Sequence, residues 1–159
     1  MDLGILLKLL HVGVAFALVA GLIGRWVLLT RASRSTDVED AAQLAEAASP
    51  FERLVQVAGT GVLPLGMLTA WAQGYPWLGL TTGWMLASVV LLLPINLLVP
   101  FVFIPRGKIF EQEMATARRQ GVVTTGLRAA WNDRAVAFAR RFEIGAVALV
   151  IALMVLKPF

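Results

Sequence analysis

The only histidine of the chain, His11, lies in an apolar stretch that reads LLKLLHVGVAFALVAGLIGRW over residues 6–26. A histidine in such a stretch holds a metal or haem iron, carries a proton, or packs as a hydrogen-bonded core residue. Haem b iron takes a histidine together with a second histidine or a methionine. His11 is therefore a candidate haem b ligand, and the packing interpretation stays open beside it. The candidates for the second ligand are His11 of a second copy and the methionines Met67, Met85 and Met154.

Further polar side chains lie within or beside apolar stretches and could form a polar site inside a membrane: Lys8, Arg25, Asn96, Arg140 and Glu143. Charged and amide groups at such positions are costly and often mark a route for protons or solutes. The alternative is that the arginines and the glutamate, which lie near helix ends, extend to water. The spacing of Arg140 and Glu143 predicts an ion pair along one helix face.

No catalytic triad, phosphate loop or metal-ligand cluster can be read in the sequence, so catalytic residues stay unassigned and no metal ion site is predicted. The chain also contains no cysteine. Disulfides, thiolate metal sites and cysteine nucleophiles are therefore excluded. Whether the chain is an enzyme is open at this point.

The elements that must position these side chains are long apolar helices. Hydrophobic residues make up 58% of the 159 residues and charged residues 15%, against about half and about a quarter in soluble domains. A helix needs about 20 apolar residues to cross a bilayer. We therefore predict an all-α fold, a single bundle of four transmembrane helices over residues 1–159, with spans at about 3–29, 54–72, 83–104 and 142–157.

The basic residues are distributed unevenly along the chain. Twelve of the fourteen lysines and arginines lie in or next to residues 25–53 and 106–141, and only Lys8 and Lys157 lie elsewhere. Cytoplasmic loops of membrane proteins carry such an excess. Both basic segments are thus predicted to face the cytoplasm and both termini to face outward. The positive-inside distribution accounts for the high pI, so no nucleic-acid partner is predicted from the basic residues.

Local signals predict where the helices begin and bend. Residues 36–39 read as a capping box that opens a helix, and Ser49 followed by Pro50 reads as a second helix start. The segment from Leu127 to Arg141 is expected to run unbroken into the fourth span. Pro94, Pro100 and Pro105 each lack a backbone donor, so the third span should be kinked.

Two faces of the first helix carry residues that need a specific neighbour. Helical spacing puts Lys8, His11 and Arg25 on one stripe, and small residues on the roughly opposite one: Gly13, Ala17, Ala20, Gly21 and Gly24. The fourth span has its own small stripe of Gly145, Ala148 and Ala152. Small residues let helices approach closely. The expected partners are therefore the lipid bilayer and either a second copy or the other subunits of a larger membrane complex.

Three segments resemble a family of four-helix bacterial integral membrane proteins known only as a domain of unknown function. They are residues 6–26, residues 51–71 (FERLVQVAGTGVLPLGMLTAW) and residues 138–158 (FARRFEIGAVALVIALMVLKP). The start Lys8-x-x-His11 with Gly21 is also similar to the first helix of the haem-linked four-helix protoporphyrinogen oxidase, and more loosely to copper-resistance membrane proteins of the D type. The resemblance implies a bacterial cytoplasmic membrane and a haem-ligand role for His11.

One departure limits what this resemblance implies. The oxidase family has a functional lysine on its third helix, whereas no lysine precedes Lys108 in the third span of this chain. Three functional hypotheses follow. The first is an accessory or scaffolding membrane protein that acts through its small-residue helix faces. The second is a haem-binding redox protein or oxidase that uses His11, and the third is a small transporter or channel that uses Asn96 and Glu143.

Overall fold

A computed structural model describes residues 2–158, and all of their regular secondary structure is helical. The elements are α1 (Leu3–Ala32), α2 (Val38–Ala72), a 3₁₀ turn (Pro76–Gly79), α3 (Gly83–Leu98), a π-helical segment (Val99–Phe103), α4 (Ile104–Gln120), α5 (Thr125–Trp131) and α6 (Arg134–Leu156). Within these residues, three continuous helical stretches are long and apolar enough to cross a membrane: Leu3–Ala32, Val38–Ala72 and Gly83–Gln120. The all-helical prediction is confirmed.

Helix α2 begins close to the predicted position but does not restart at residue 50. The Asp37 carboxylate caps it by accepting a hydrogen bond from the Glu39 backbone N–H at 2.8 Å. The helix then runs without a break through Pro50 and Pro64 to Ala72. The prediction of a new start at Ser49 and Pro50 was wrong. A proline inside a helix removes one hydrogen bond and crowds the preceding turn, but the contacts that α2 makes with α1 and α4 keep it helical on both sides of Pro50.

Helices α1 and α2 form the most extensive interface of the molecule. A Cβ atom added at Gly21 would come within 2.8 Å of a Val55 methyl group and 3.2 Å of the Phe51 carbonyl oxygen. At Gly24, it would come within 2.3 Å of the Phe51 ring. By contrast, nothing lies within 4 Å of a Cβ at Gly13. Only part of the predicted small stripe therefore contacts α2.

The third apolar stretch is irregular, as its prolines predict. Pro94 lies inside α3, and the helix widens into the π-helical segment at Pro100. The Ile104 N–H donates to the Val99 carbonyl, five residues back, which is the hydrogen-bond pattern of a π-helix. A proline without a donor accounts for this local widening. Helix α3 packs mainly on α6.

We name the end of the molecule at which α1 ends and α2 begins the basic end. A layer of helices covers it. There, the first turns of α2 pack with α4 and α5 around a small apolar core of Val38, Ala42, Met114, Ala117 and Leu127. The Arg118 guanidinium pairs with Glu39 at 2.7 Å and Glu46 at 2.9 Å. These contacts attach α4 to α2.

The chain between Leu127 and Arg141 is not one helix. Helix α5 ends at Trp131, and the Asp133 carboxylate caps α6 by accepting from the backbone N–H groups of Ala135 at 2.8 Å and Val136 at 3.1 Å. The prediction of an unbroken helix was wrong because an aspartate at this position offers the backbone a cap that ends one helix and starts another.

Candidate functional site

A cavity of about 550 Å³ opens at the end of the molecule opposite the basic end. Helices α1, α2, α3 and α6 line it, and His11 together with Met67, Met85 and Met154 is among the lining residues. We name it the histidine cavity. The sequence suggested these methionines as alternative second ligands, and the fold places all three in the lining of one cavity with the histidine.

The His11 ring lies against a glycine of α2. A Cβ atom added at Gly66 would come within 2.9 Å of the imidazole Cε1 atom, so a larger residue there would displace the ring. The imidazole Nδ1 atom is buried, and the Val62 backbone of α2 lies close to the ring. One side of the imidazole is therefore held against α2. The ring also lines the histidine cavity.

The walls of the histidine cavity are predominantly apolar, with lysines at its open end. Lys8 and Lys157 both line it, and the Lys157 ammonium lies 5.5 Å from the centre of the Trp84 ring. Trp84 is buried, and Tyr75 packs edge-on against it at 6.4 Å between ring centres. Apolar walls with cations at the mouth suit a largely apolar ligand that carries anionic groups.

Gly66 and Trp84 are not recognisable from the sequence as parts of this site. Gly66 is one of fourteen glycines, and nothing local distinguishes it. Trp84 resembles an interfacial tryptophan beside the 73–82 loop, whereas it packs inward against Tyr75. Contacts between separate helices, which the sequence does not specify, decide both positions.

Arg25 and Glu143 form a buried ion pair between α1 and α6. Arg25 is 8% exposed and Glu143 1% exposed, so neither side chain extends to water. The guanidinium also lies 5.0 Å from the centre of the Phe103 ring, in cation–π geometry. The expectation that these two side chains reach water was wrong. The described partner of Glu143 is Arg25 rather than the predicted Arg140.

A second cavity, of about 340 Å³, lies at the basic end around this ion pair. Its wall combines apolar residues of the π-helical segment with charged residues of α2, α4 and α6, and it includes Arg140 and Glu52. We name it the arginine cavity. An apolar core that includes Leu22, Ile95 and Val147 lies between the two cavities.

Asn96 lies outside the residues that line the two cavities. It is half-buried, and its side-chain amide donates to the Leu92 carbonyl of the same helix at 3.0 Å. The Asn96 amide thus gives a hydrogen bond to a backbone carbonyl next to the irregular part of the helix, which is a structural role. This contact gives no support to a transport route through Asn96.

A family model described as "Predicted integral membrane protein (DUF2269)" matches residues 5–158. The chain belongs to this family. Comparison with curated proteins and with solved structures finds no match. The resemblance to an uncharacterised membrane protein family is thus confirmed, and the similarities to the oxidase and to the copper-resistance proteins stay predictions.

Membership of DUF2269 means that the long helices lie in a lipid bilayer. Large apolar side chains on their outer faces agree with this environment: Phe16 is 73% exposed, Phe101 75% and Val155 73%. In water such a surface would promote aggregation, whereas hydrocarbon is the solvent it requires. The histidine cavity is therefore a site within or next to the membrane.

Proposed function

We propose that this DUF2269 chain is a membrane redox protein that binds haem b in the histidine cavity. The observation that carries the proposal is the position of His11 in a cavity whose lining includes three methionines. Haem iron accepts a histidine together with a thioether. The similarity of the first helix to that of a haem-linked oxidase points the same way.

The residues present fit this cofactor in four respects. The cavity volume lies within the range of about 300–1,000 Å³ that is usual for cofactor sites. His11 offers an imidazole, and Met67, Met85 and Met154 offer thioethers. The largely apolar wall suits the porphyrin face. Lys8 and Lys157 at the open end offer cations to its propionate groups.

The residues of the chain would perform distinct tasks around the bound group. A haem held in this way supplies one-electron transfer. His11 would hold the iron, and Gly66 leaves the space that the imidazole ring needs. The apolar walls would exclude water, while the two lysines orient the anionic edge toward the mouth of the cavity.

We further propose that α6 forms a fourth span in a bacterial cytoplasmic membrane, with the basic end on the cytoplasmic side. The packing of α6 on α3 and its ion pair with α1 support this arrangement. Its apolar part begins at Phe142. The excess of lysine and arginine at the basic end supports the orientation.

The first experiment is an absorption spectrum of the protein purified in mild detergent from haem-replete bacteria, first oxidised and then reduced with dithionite. We expect a Soret band together with α and β bands on reduction. His11→Ala should abolish the bands, because the iron loses its imidazole ligand. Gly66→Ala should weaken or shift them, because the added methyl group displaces the ring.

The matched control is Gly13→Ala, on the same helix as His11, where the added methyl group meets nothing within 4 Å. This variant should keep the spectrum unchanged. A folded but colourless protein that also fails to take up added haemin would contradict the proposal. That result would favour the accessory role, for which α6 still offers an open surface, since nothing lies within 4 Å of a Cβ at Gly145.

A further inference from the structure

The arginine cavity contains charged groups that the structure leaves without ion-pair partners. Within residues 2–158, Arg25 pairs with Glu143, and Arg106 pairs with Asp133 at 2.8 Å. The remaining charged lining residues are two cations and two carboxylates, none of which has an ion-pair partner within 4.0 Å in the described part of the chain: Lys108, Arg140, Glu52 and Glu111.

A neutral donor adds to this arrangement. Trp131 lines the arginine cavity, and its indole nitrogen is buried with no hydrogen-bond partner among residues 2–158. An indole N–H only donates. The half-buried Arg140 also lines this cavity, and both groups are donors suited to the oxygens of an anionic group.

A simple anion is not the best match, because Glu52 and Glu111 on the same wall would repel it. A ligand that carries both an anionic and an ammonium group satisfies both sets of side chains. Apolar residues of the π-helical segment line another side of the cavity, and the adjoining Ile104 is 47% exposed. This apolar border offers a path for a hydrocarbon chain that is continuous with the headgroup.

We propose that the arginine cavity binds the headgroup of a zwitterionic phospholipid with a primary ammonium group. The phosphate lies at Arg140 and Trp131, and the ammonium lies at Glu52 and Glu111. The site is independent of haem binding, since an apolar core separates it from the histidine cavity. It also differs from ordinary snorkelling of basic residues, which would not distinguish an ammonium headgroup from a glycerol one.

The test is native mass spectrometry of the full chain, delipidated in detergent and titrated with phosphatidylethanolamine or phosphatidylglycerol of matched acyl chains. We expect several-fold stronger retention of phosphatidylethanolamine. Arg140→Gln should weaken that retention by about tenfold, because it removes a charge-assisted hydrogen bond. Glu52→Gln should reduce the preference between the two lipids several-fold, because it removes one of the two carboxylates at the ammonium group.

The matched control is Arg141→Gln, since Arg141 is adjacent in sequence but exposed and outside the cavity lining. It should bind lipid as the unmodified chain does. Trp131→Phe keeps an aromatic ring while it removes the N–H donor, so it tests the site if Arg140→Gln fails to fold; we expect a several-fold loss of phosphatidylethanolamine retention.

Two results would overturn the proposal. The first is equal retention of the two lipids, with Arg140→Gln or Trp131→Phe indistinguishable from Arg141→Gln. The second comes from competition with free phosphoethanolamine or inorganic phosphate. If either displaces the lipid at equal concentration, the site serves a soluble phosphate compound. Displacement only at large excess supports a lipid site.

Discussion

At the scale of single residues, the buried ion pair between Arg25 and Glu143 is the contact whose stability depends most on both partners being present. Both side chains are withdrawn from water, and the Arg25 guanidinium lies near the Phe103 ring. Moving two charges out of water is costly, and their mutual attraction offsets that cost only while both are present. The pair therefore fixes α6 against α1 at one depth and rotation.

Removing one partner should be far more harmful than removing both. We expect Arg25→Ala to lower the free energy of unfolding by about 3–5 kcal/mol, because Glu143 would stay buried without its counter-charge. The double variant Arg25→Met with Glu143→Leu should recover most of that loss. Equilibrium unfolding in mixed micelles measures both effects.

The control for this prediction is the ion pair between Arg106 and Asp133. The Arg106 side chain is 48% exposed, so Arg106→Ala should cost at most about 1 kcal/mol. If Arg25→Ala were no more destabilising than Arg106→Ala, the Arg25–Glu143 pair would not contribute as its burial indicates.

At the scale of elements, α1 and α2 are held together by close backbone approach rather than by large interlocking side chains. Gly21 leaves the space that a Val55 methyl group and the Phe51 backbone occupy. Helices in lipid gain little from burying apolar surface and associate through such tight packing. A small residue at this position is therefore a packing requirement.

We expect Gly21→Ala to lower the stability by about 1–3 kcal/mol, because the new methyl group would press on the Phe51 backbone, which cannot rotate away. Gly13→Ala on the same helix should be neutral or stabilising, by up to about 1 kcal/mol, because alanine favours helix and the site is open. Thermal unfolding of both variants in the same detergent provides the comparison. Equal melting temperatures would show that the close approach at Gly21 does not require glycine.

At the scale of the whole molecule, the ends differ in charge. The basic end carries α4, α5 and most of the lysines and arginines, whereas the other end carries the mouth of the histidine cavity and the loop at residues 73–82. This asymmetry sets the orientation that we propose. Under that orientation, the histidine cavity opens toward the outer surface and the arginine cavity lies near the cytoplasmic headgroups.

The absence of cysteine from the natural sequence makes the orientation directly measurable. Four single variants report on it, namely Ser33→Cys, Thr81→Cys, Val122→Cys and Pro158→Cys. With four spans, residues 81 and 158 should react with an impermeant maleimide in intact cells, whereas residues 33 and 122 should react only after permeabilisation. Reaction of residue 158 on the same side as residue 122 would show that α6 does not cross the membrane.

Local properties of the sequence predicted much of the fold. Apolar runs longer than a bilayer is thick predicted the spanning helices, and three prolines predicted the irregular third stretch that the π-helical segment realises. The break before α6 was missed. Asp133 is an ordinary capping residue, but the pattern around it continues as a helix on both sides, so only the folded chain decides that the cap is used.

Some features of the candidate site were likewise predictable from the sequence, and others were not. Local patterns predicted that a lone histidine lies in an apolar helix, that the chain belongs in a membrane, and that most of its basic residues lie at one end. The packing of the helices adds that three methionines line one cavity with that histidine, that Gly66 leaves space for its ring, and that Glu143 pairs with Arg25. The physical reason is that hydropathy and periodicity are read along one helix. Contacts between helices depend instead on how each one is rotated and shifted against its neighbours.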